Sequence, residues 1–164
     1  MARPIREKHD GALTGRMDVR VWLRMLSCTT TIEKRLRRRF SERFGTTLPR
    51  FDVLAALERE DDGLSMGELS KRLLVSNGNV TALVRQLEKA GFITSRPAPD
   101  DRRSSIVSLT ETGRAHFTEM AAAHHASIKS MLAGVSRDEL GALYRLLAVM
   151  KASIGAEHAN GEFE

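Results

Sequence analysis

The sequence is poor in cysteine and lacks long apolar runs. Cys28 is its single cysteine, which excludes an intramolecular disulfide and the cysteine pairs of most structural zinc sites. The longest segment without Asp, Glu, Lys or Arg spans residues 73–84, shorter than the roughly 18 apolar residues of a membrane span. The basic N-terminal residues have no apolar stretch behind them, so a secretory signal is not indicated. We therefore expect a cytoplasmic protein with no membrane partner, stabilised by packing.

Length and charge set the next expectations. A chain of 164 residues, 41% hydrophobic and 29% charged, indicates one domain over 1–164 with a single core. The formal net charge of +5 is compatible with a polyanionic partner such as nucleic acid. The basic excess lies in residues 1–50, which hold 13 Lys or Arg against 5 Asp or Glu. Its densest part, residues 34–39, is as typical of a solvated helix face as of a binding surface.

Apolar spacing and capping residues predict three helices in the first half of the chain. Apolar side chains recur at steps of three and four residues over 22–40, which predicts one long amphipathic helix. Gly45 ends that helix, and Pro49 is typical of the first turn of a second one. Ser65 and Glu68 have the spacing of a capping box and predict the start of a short third helix.

A fourth helix and two strands follow. Ser76 is placed to cap this helix, and Gly91 ends it. Its predicted inward residues are Val80, Leu83, Val84 and Leu87. Residues 93–96 and 104–109 are predicted to form two short strands joined by a charged, turn-rich tip.

The two ends of the chain are predicted to be dimerisation helices, over 17–47 and 111–155. Thr110 is placed to cap the fifth helix, and residues 136–139 form a second capping box that begins the sixth. The apolar stripes of the first and last helices need a surface beyond the compact middle of the chain, and a second copy supplies one. The polar tail from Gly155 is expected to fray.

Residues 48–110 have the outline of a winged helix-turn-helix, because two helices are followed by a strand, an Arg-rich tip and a return strand. The fourth helix would present small and polar groups to a major groove about 12 Å wide. Its predicted DNA-contacting residues are Ser76, Asn77, Gly78, Asn79, Thr81, Ala82, Arg85 and Lys89. Arg85 suits guanine, Asn79 suits adenine, and the Thr81 methyl suits a thymine methyl. The alternative is a polar face that meets only water.

The tip between the strands is a second candidate contact. Arg102 and Arg103 are predicted to reach into a narrow minor groove, whose negative potential attracts arginine. Asp101 would orient an arginine through a carboxylate–guanidinium pair. The alternative is a solvated turn without a DNA role.

Two motifs resemble those of the MarR-type (multiple antibiotic resistance regulator) winged-helix repressors. Residues 76–81 followed by 87–93 resemble the family's recognition helix running into its first wing strand. Residues 101–103 followed by 109–110 resemble its wing signature, Asp-x-Arg and then Leu-Thr. The resemblance covers about residues 20–155.

The resemblance implies a mainly α fold with a small β-wing. It implies an obligate homodimer whose N- and C-terminal helices intertwine, bound to double-stranded DNA at a pseudo-palindromic operator. Arg103 would be the minor-groove arginine, with Asp101 as its partner. Leu74 departs from the pattern, because helix-turn-helix turns often have glycine there.

The resemblance also implies a small-molecule effector. Members of the family are commonly released from DNA by small aromatic acids, phenolic compounds or their coenzyme A thioesters. Residues 48–57 and 75–84 look like those of regulators of aromatic-acid catabolism. The predicted effector pocket, between the first helix and the winged domain, uses Trp22, Met25, Arg50 and Phe117. Arg50 would take a carboxylate, and the basic cluster at 35–39 would hold coenzyme A phosphates.

Other function classes have less support. Cys28 leaves a one-cysteine redox sensor open as an alternative. Such a sensor needs partner side chains that register oxidation of the thiol, and the single tyrosine, Tyr144, lies far along the chain. His116 and His124 are eight residues apart, so we expect neither a metal nor a cofactor. No motif gathers a nucleophile, a base and oxyanion donors, so we do not expect an enzyme. A winged-helix module used only for protein contacts remains a further alternative.

Overall fold

A computed structural model describes residues 16–98 and 105–159, without the side chains of residues 77 and 157–159. The helices are α1 (Met17–Phe44), α2 (Leu48–Leu57), α3 (Met66–Leu73), α4 (Asn77–Lys89), α5 (Glu111–Met131) and α6 (Arg137–Ala159). The strands are β1 (Leu64–Ser65), β2 (Ile93–Pro97) and β3 (Ser105–Leu109). The predicted mainly α fold with a small sheet is therefore confirmed. The chain divides into two compact units after Ser127.

Capping contacts confirm the predicted helix ends at Gly45, Ser65 and Ser136. α1 ends at Gly45, whose φ of 58° is the left-handed conformation that glycine adopts without a steric penalty. At the start of α3 the Ser65 hydroxyl accepts a hydrogen bond from the Glu68 amide at 3.2 Å, and the Glu68 carboxylate accepts one from the Ser65 amide at 2.9 Å. Residues 136–139 repeat this arrangement before α6. The expectation that the tail frays from Gly155 is wrong for residues 155–159, because α6 continues to Ala159.

The sheet has the order β1-β3-β2, and both pairs are antiparallel. β2 pairs with β3 from Ile93 opposite Leu109 to Pro97 opposite Ser105. This hairpin is the predicted wing. The sequence did not predict β1, because its two residues are too few to show an alternating pattern; Leu64 lies opposite Val107.

The core of the first unit joins its helices to the sheet. Phe40 of α1 is 1% exposed, and its ring meets the Phe51 ring of α2 edge-on at 5.0 Å. The His124 ring of α5 stacks on Phe51 at 5.0 Å and meets Phe40 edge-on at 6.3 Å. The buried apolar residues of this cluster are Phe40, Phe51, Val53, Leu54, Leu57, Leu64, Leu69, Val80, Val84, Leu87, Ile93, Val107 and Met120. The winged segment, the end of α1 and the middle of α5 thus share one core.

The position of His124 makes the stability of this core depend on pH. Burial lowers the pKa of His124 below 6.5, and the neighbouring His125 lowers it further. The folded state therefore binds a proton less readily than the unfolded chain, so the stabilisation is complete above pH 6.5 and is lost as the pH falls below it. We expect His124→Phe, which keeps the ring but cannot take a proton, to flatten the pH dependence of the urea midpoint. Parallel curves for the parent and the variant would contradict this.

The second unit consists of the last residues of α5 and the helix α6. Large apolar side chains of α6 lie in solvent in the single chain: Leu143, Tyr144, Leu146, Leu147, Val149 and Ile154. Tyr144 is 78% exposed and Val149 is 70% exposed. In the described part of the chain no helix is long and apolar enough to cross a membrane.

Candidate nucleic-acid interface

The two faces of α4 differ as the sequence predicts. Val80, Val84 and Leu87 lie inward and are at most 5% exposed. The exposed residues of the outer face are Gly78, Asn79, Ala82, Arg85 and Lys89. Thr81, on the flank, is half-buried, so only part of its side chain is available to a partner. The outer face therefore has small groups at its centre, with the Arg85 guanidinium, the Asn79 carboxamide and the Lys89 ammonium around them.

The start of α4 departs from the prediction in one respect. Ser76 has the extended backbone of an N-cap residue, with φ −65° and ψ 150°, but its hydroxyl makes no capping hydrogen bond. Its side chain is exposed. The expectation that Ser76 caps α4 through its hydroxyl is therefore wrong. Asn77 begins the helix, and its side chain lies outside the description.

One side-chain hydrogen bond links α4 to α2. The Arg50 Nε atom donates to the Gln86 Oε1 atom at 3.0 Å. Gln86 adjoins Arg85 on the exposed side of α4. Sequence reasoning offered Arg50 for an effector carboxylate and missed this partner, because the two residues are 36 positions apart in the chain.

The end of α4 is tied to the start of α5 by five residues, Gly91, Phe92, Thr110, Gly113 and His116, which we call the α4–α5 joint. The Phe92 carbonyl accepts a hydrogen bond from the Thr110 amide at 3.0 Å. The Thr110 hydroxyl donates to the Gly91 carbonyl at 2.7 Å and accepts from the Gly113 amide at 2.9 Å. The predicted capping role of Thr110 is thus confirmed. The His116 ring stacks on Phe92 with centroids 4.3 Å apart and an interplanar angle of 9°.

Gly113 allows this joint to close. A Cβ atom at Gly113 would lie 1.8 Å from the Phe92 carbonyl oxygen, well inside van der Waals contact. Helix α5 therefore starts directly against the backbone that ends the α4 segment. The orientation of α4 is set by α5 as well as by the core beneath it.

The tip of the wing lies outside the described residues, and with it Asp101, Arg102 and Arg103. Their minor-groove roles stay predictions. At the described base of the wing, the Arg96 guanidinium donates to the Asp62 carbonyl at 3.2 Å, which links β2 to the loop before β1.

The turn between α3 and α4 has the geometry that glycine would give, although Leu74 occupies it. Leu74 has φ 53° and ψ 40°, and it is the one non-glycine residue with positive φ in the part of the chain that the structure describes. The Val75 amide donates to the Ser70 carbonyl at 3.3 Å, and the Ser70 hydroxyl donates to the Val75 carbonyl at 2.6 Å. The departure from the family pattern leaves the turn intact.

The predicted effector residues are spread over several environments. Trp22 is 57% exposed near the start of α1, Met25 is half-buried, and the Phe117 ring stacks on Phe51 at 5.6 Å. None of the predicted effector residues, Arg50 included, lines either of two cavities in the described part of the chain. One, of about 370 Å³, is lined by Arg39, Phe40, Glu42, Arg43, Phe44, Ala123, Ala126 and Ser127. The other, of about 430 Å³, is lined by Asp52, Ala55, Ala56, Arg59, Arg72 and Leu73.

The side chains considered for redox or metal sensing lie apart. Cys28 is exposed on α1. His116 stacks on Phe92, whereas His124 stacks on Phe51. Within residues 16–98 and 105–159 no three His, Cys, Asp or Glu side chains gather in a way that would hold a metal ion.

Comparison with known proteins supports the architecture. A sequence profile of the MarR family matches residues 44–104. The transcriptional activatory protein BadR of Rhodopseudomonas palustris is 34% identical over 117 residues, 69% of this chain and 66% of its own length. The HTH-type transcriptional repressor YetL of Bacillus subtilis is 30% identical over 65% of this chain and 69% of its own. The chain thus spans about two thirds of the length of these relatives.

Solved structures extend the match to most of the chain. A MarR family transcriptional regulator from Silicibacter pomeroyi superposes with a TM-score of 0.74 and 30% identity, covering 88% of this chain and 99% of its own. The S. aureus MepR–DNA complex shares the fold at a TM-score of 0.70 and 21% identity, over 82% of this chain and 96% of its own. From its helix-turn-helix, its wing and its identity to these proteins, we conclude that the chain belongs to the MarR family of winged-helix transcriptional regulators.

Proposed function

We propose that the chain is a homodimeric regulator that binds duplex DNA with α4 in the major groove. One observation carries this proposal: α4 buries one apolar face in the core and turns small groups, Asn79 and Arg85 to solvent. A helix that is held on one side and is narrow on the other suits the width of a major groove. The wing beside it suits a second contact, with Arg102 and Arg103 in the minor groove and Asp101 orienting them.

Each outward side chain has a base edge that it fits. The Arg85 guanidinium matches the two acceptors of guanine, and the Asn79 carboxamide matches the donor and acceptor of adenine. Gly78 and Ala82 let the helix backbone approach the bases. The half-buried Thr81 makes at most a partial contact with a thymine methyl. The bonds at Arg50 and in the α4–α5 joint keep this face in one orientation, which lowers the ordering cost of binding.

A second copy of the chain is the proposed cover for the apolar residues of α6. Side chains as large as Tyr144 and Leu146 are mostly exposed in the single chain, and Trp22 is similarly exposed at the start of α1. Covering them on folding with a partner recovers the free energy of removing apolar surface from water. A dimer with two-fold symmetry places two reading helices on a pseudo-palindromic operator.

We expect Arg85→Ala to weaken operator binding by about 1 to 3 kcal/mol and to relax preference at one base pair, because a bidentate contact with guanine is lost. Fluorescence anisotropy with duplexes varied one base pair at a time measures both effects. Arg38→Ala is the matched control, since it removes the same charge and its pair with Glu42, at 3.8 Å between exposed side chains, contributes little. Equal affinity and unchanged base preference in Arg85→Ala would contradict the role of Arg85.

Salt dependence separates DNA reading from a protein-contact role. For a protein that binds duplex DNA, the logarithm of the association constant falls linearly with the logarithm of the salt concentration, with a slope of about −0.9 per phosphate neutralised. A winged-helix module that contacts only proteins would show no preference for one duplex sequence over another at any salt concentration.

Release by an aromatic carboxylate or its coenzyme A thioester is the proposed regulation. Arg50 supports it, because a carboxylate that pairs with this guanidinium would compete with Gln86 of α4. Repression is the proposed outcome of operator binding. The name of YetL describes a repressor and that of BadR an activatory protein, and transcription from the target promoter with and without the regulator tests the sign. Isothermal titration with a panel of such acids tests the effector class, and heat from none of them would remove it.

A further inference from the structure

Leu74 combines two unfavourable features in the turn before α4. Its backbone is left-handed, a conformation in which the Cβ of an L-residue crowds the neighbouring carbonyl. Its side chain is 91% exposed, so the strain is not offset by burial. Glycine would remove both costs at this position. Leu74 is the left-handed C-cap that ends α3, and strained residues that burial does not offset also cluster at binding sites.

The turn holds the Leu74 backbone in a defined place. The Ser70 hydroxyl bonds the Val75 carbonyl at 2.6 Å, and the Val75 amide bonds the Ser70 carbonyl at 3.3 Å, so the residues on both sides of Leu74 are fixed. Leu74 lies two residues before Ser76, which places their Cα atoms within about 7 Å of each other. Any duplex that contacts the exposed N-terminal end of α4 is therefore within reach of the leucine.

DNA fits this position better than a protein does. One leucine with the 37% exposed Val75 beside it makes an apolar spot, far smaller than the roughly 800 Å² per partner of a stable protein interface. The edge of a major groove offers isolated apolar groups of matching size, namely thymine C5-methyls and deoxyribose carbons.

We infer that Leu74 is a DNA-contacting residue that packs its side chain on an apolar carbon group at the edge of the groove read by α4. This rests on the proposed function and extends the reading surface to the turn before the helix. The Leu74 side chain is exposed, and the Ser70–Val75 bonds hold the left-handed backbone that carries it.

The test uses the full chain and an operator duplex selected by it from random sequences. Leu74→Gly and Leu74→Asn both suit a left-handed backbone but remove the apolar side chain. We expect their Tm to equal or exceed that of the parent, while the Kd for the selected duplex rises about fivefold to tenfold. Leu74→Met, which keeps apolar bulk, is expected to retain most of the affinity. A purely structural leucine would give the opposite result, with changes in Tm and none in Kd.

A duplex with deoxyuridine in place of thymidine identifies the carbon group. If the parent loses more affinity on it than Leu74→Gly does, the contact of Leu74 is a thymine methyl; if the two lose affinity by the same factor, its contact is deoxyribose. Parental affinity of Leu74→Gly and Leu74→Asn for the thymidine duplex would overturn the inference and leave the proposed function standing. Failure of the parent to select any duplex would overturn the proposed function itself.

Discussion

Replacing Gly113 by alanine is expected to destabilise the chain by about 2 kcal/mol or more. In an ordinary helix this substitution stabilises by up to about 1 kcal/mol, because alanine has the higher helix propensity. Here the new Cβ would lie 1.8 Å from the Phe92 carbonyl oxygen and 2.7 Å from its carbon. Both are backbone atoms that cannot rotate away, so the start of α5 must move off the end of the α4 segment. Urea unfolding measures the loss.

Gly67→Ala is the matched control. Gly67 lies in α3, and a Cβ there would have no atom within 4 Å. We expect this variant to be as stable as the parent or more stable, by up to about 1 kcal/mol. The Gly113 variant should also bind DNA more weakly than its remaining folded fraction accounts for, because the α4–α5 joint orients α4, the helix that we propose enters the major groove. A Gly113→Ala chain as stable as Gly67→Ala would show that the joint is loose.

The second large effect is expected for Phe40→Ala, which should cost about 3 to 5 kcal/mol. The Phe40 ring is 1% exposed and meets the rings of Phe51 at 5.0 Å and His124 at 6.3 Å. Its removal would leave a cavity where α1, α2 and α5 come together. The free energy of unfolding from urea titration, with near-ultraviolet circular dichroism as a second probe, measures the change.

Phe44→Ala on the same helix provides the comparison. Phe44 is half-buried, and its ring lies 5.7 Å from Phe40 at the end of α1. Phe44→Ala removes less buried apolar surface than Phe40→Ala, so its loss in the free energy of unfolding should be clearly smaller. Phe40→Leu should recover part of the stability by refilling the space. Equal losses for Phe40→Ala and Phe44→Ala would contradict the placement of Phe40 at the centre of the core.

The local features of the fold were predictable because their signals lie within a few residues of one another. The capping box of Ser65 and Glu68, the helix end at Gly45 and the apolar stripe of α4 all span one or two helical turns. Each residue at these places has a preference that acts on its own backbone or on its near neighbours. The exposed face of α4 was predictable for the same reason, since it is the complement of that stripe.

Contacts between distant residues were not predictable in this way. The Arg50–Gln86 bond and the packing of Gly113 on Phe92 join segments that only folding brings together. β1 was missed because its pairing with β3 depends on a partner strand about 40 positions later in the chain, and two residues have no periodicity. The missing hydroxyl cap at Ser76 likewise depends on side-chain orientation, which residue type alone does not decide.

The amino-acid sequence by itself determined the order of helices and wing, the family, and the face of α4 that is turned outward, because these follow from local spacing and from motifs a few residues long. Tertiary structure alone decided how that face is held, by α2 through Arg50 and by α5 through the α4–α5 joint. It also decided that Leu74 lies on a left-handed turn beside this face. The physical reason is that orientation of a helix depends on contacts from segments far away in the chain, whose free energy exists only once the core has formed.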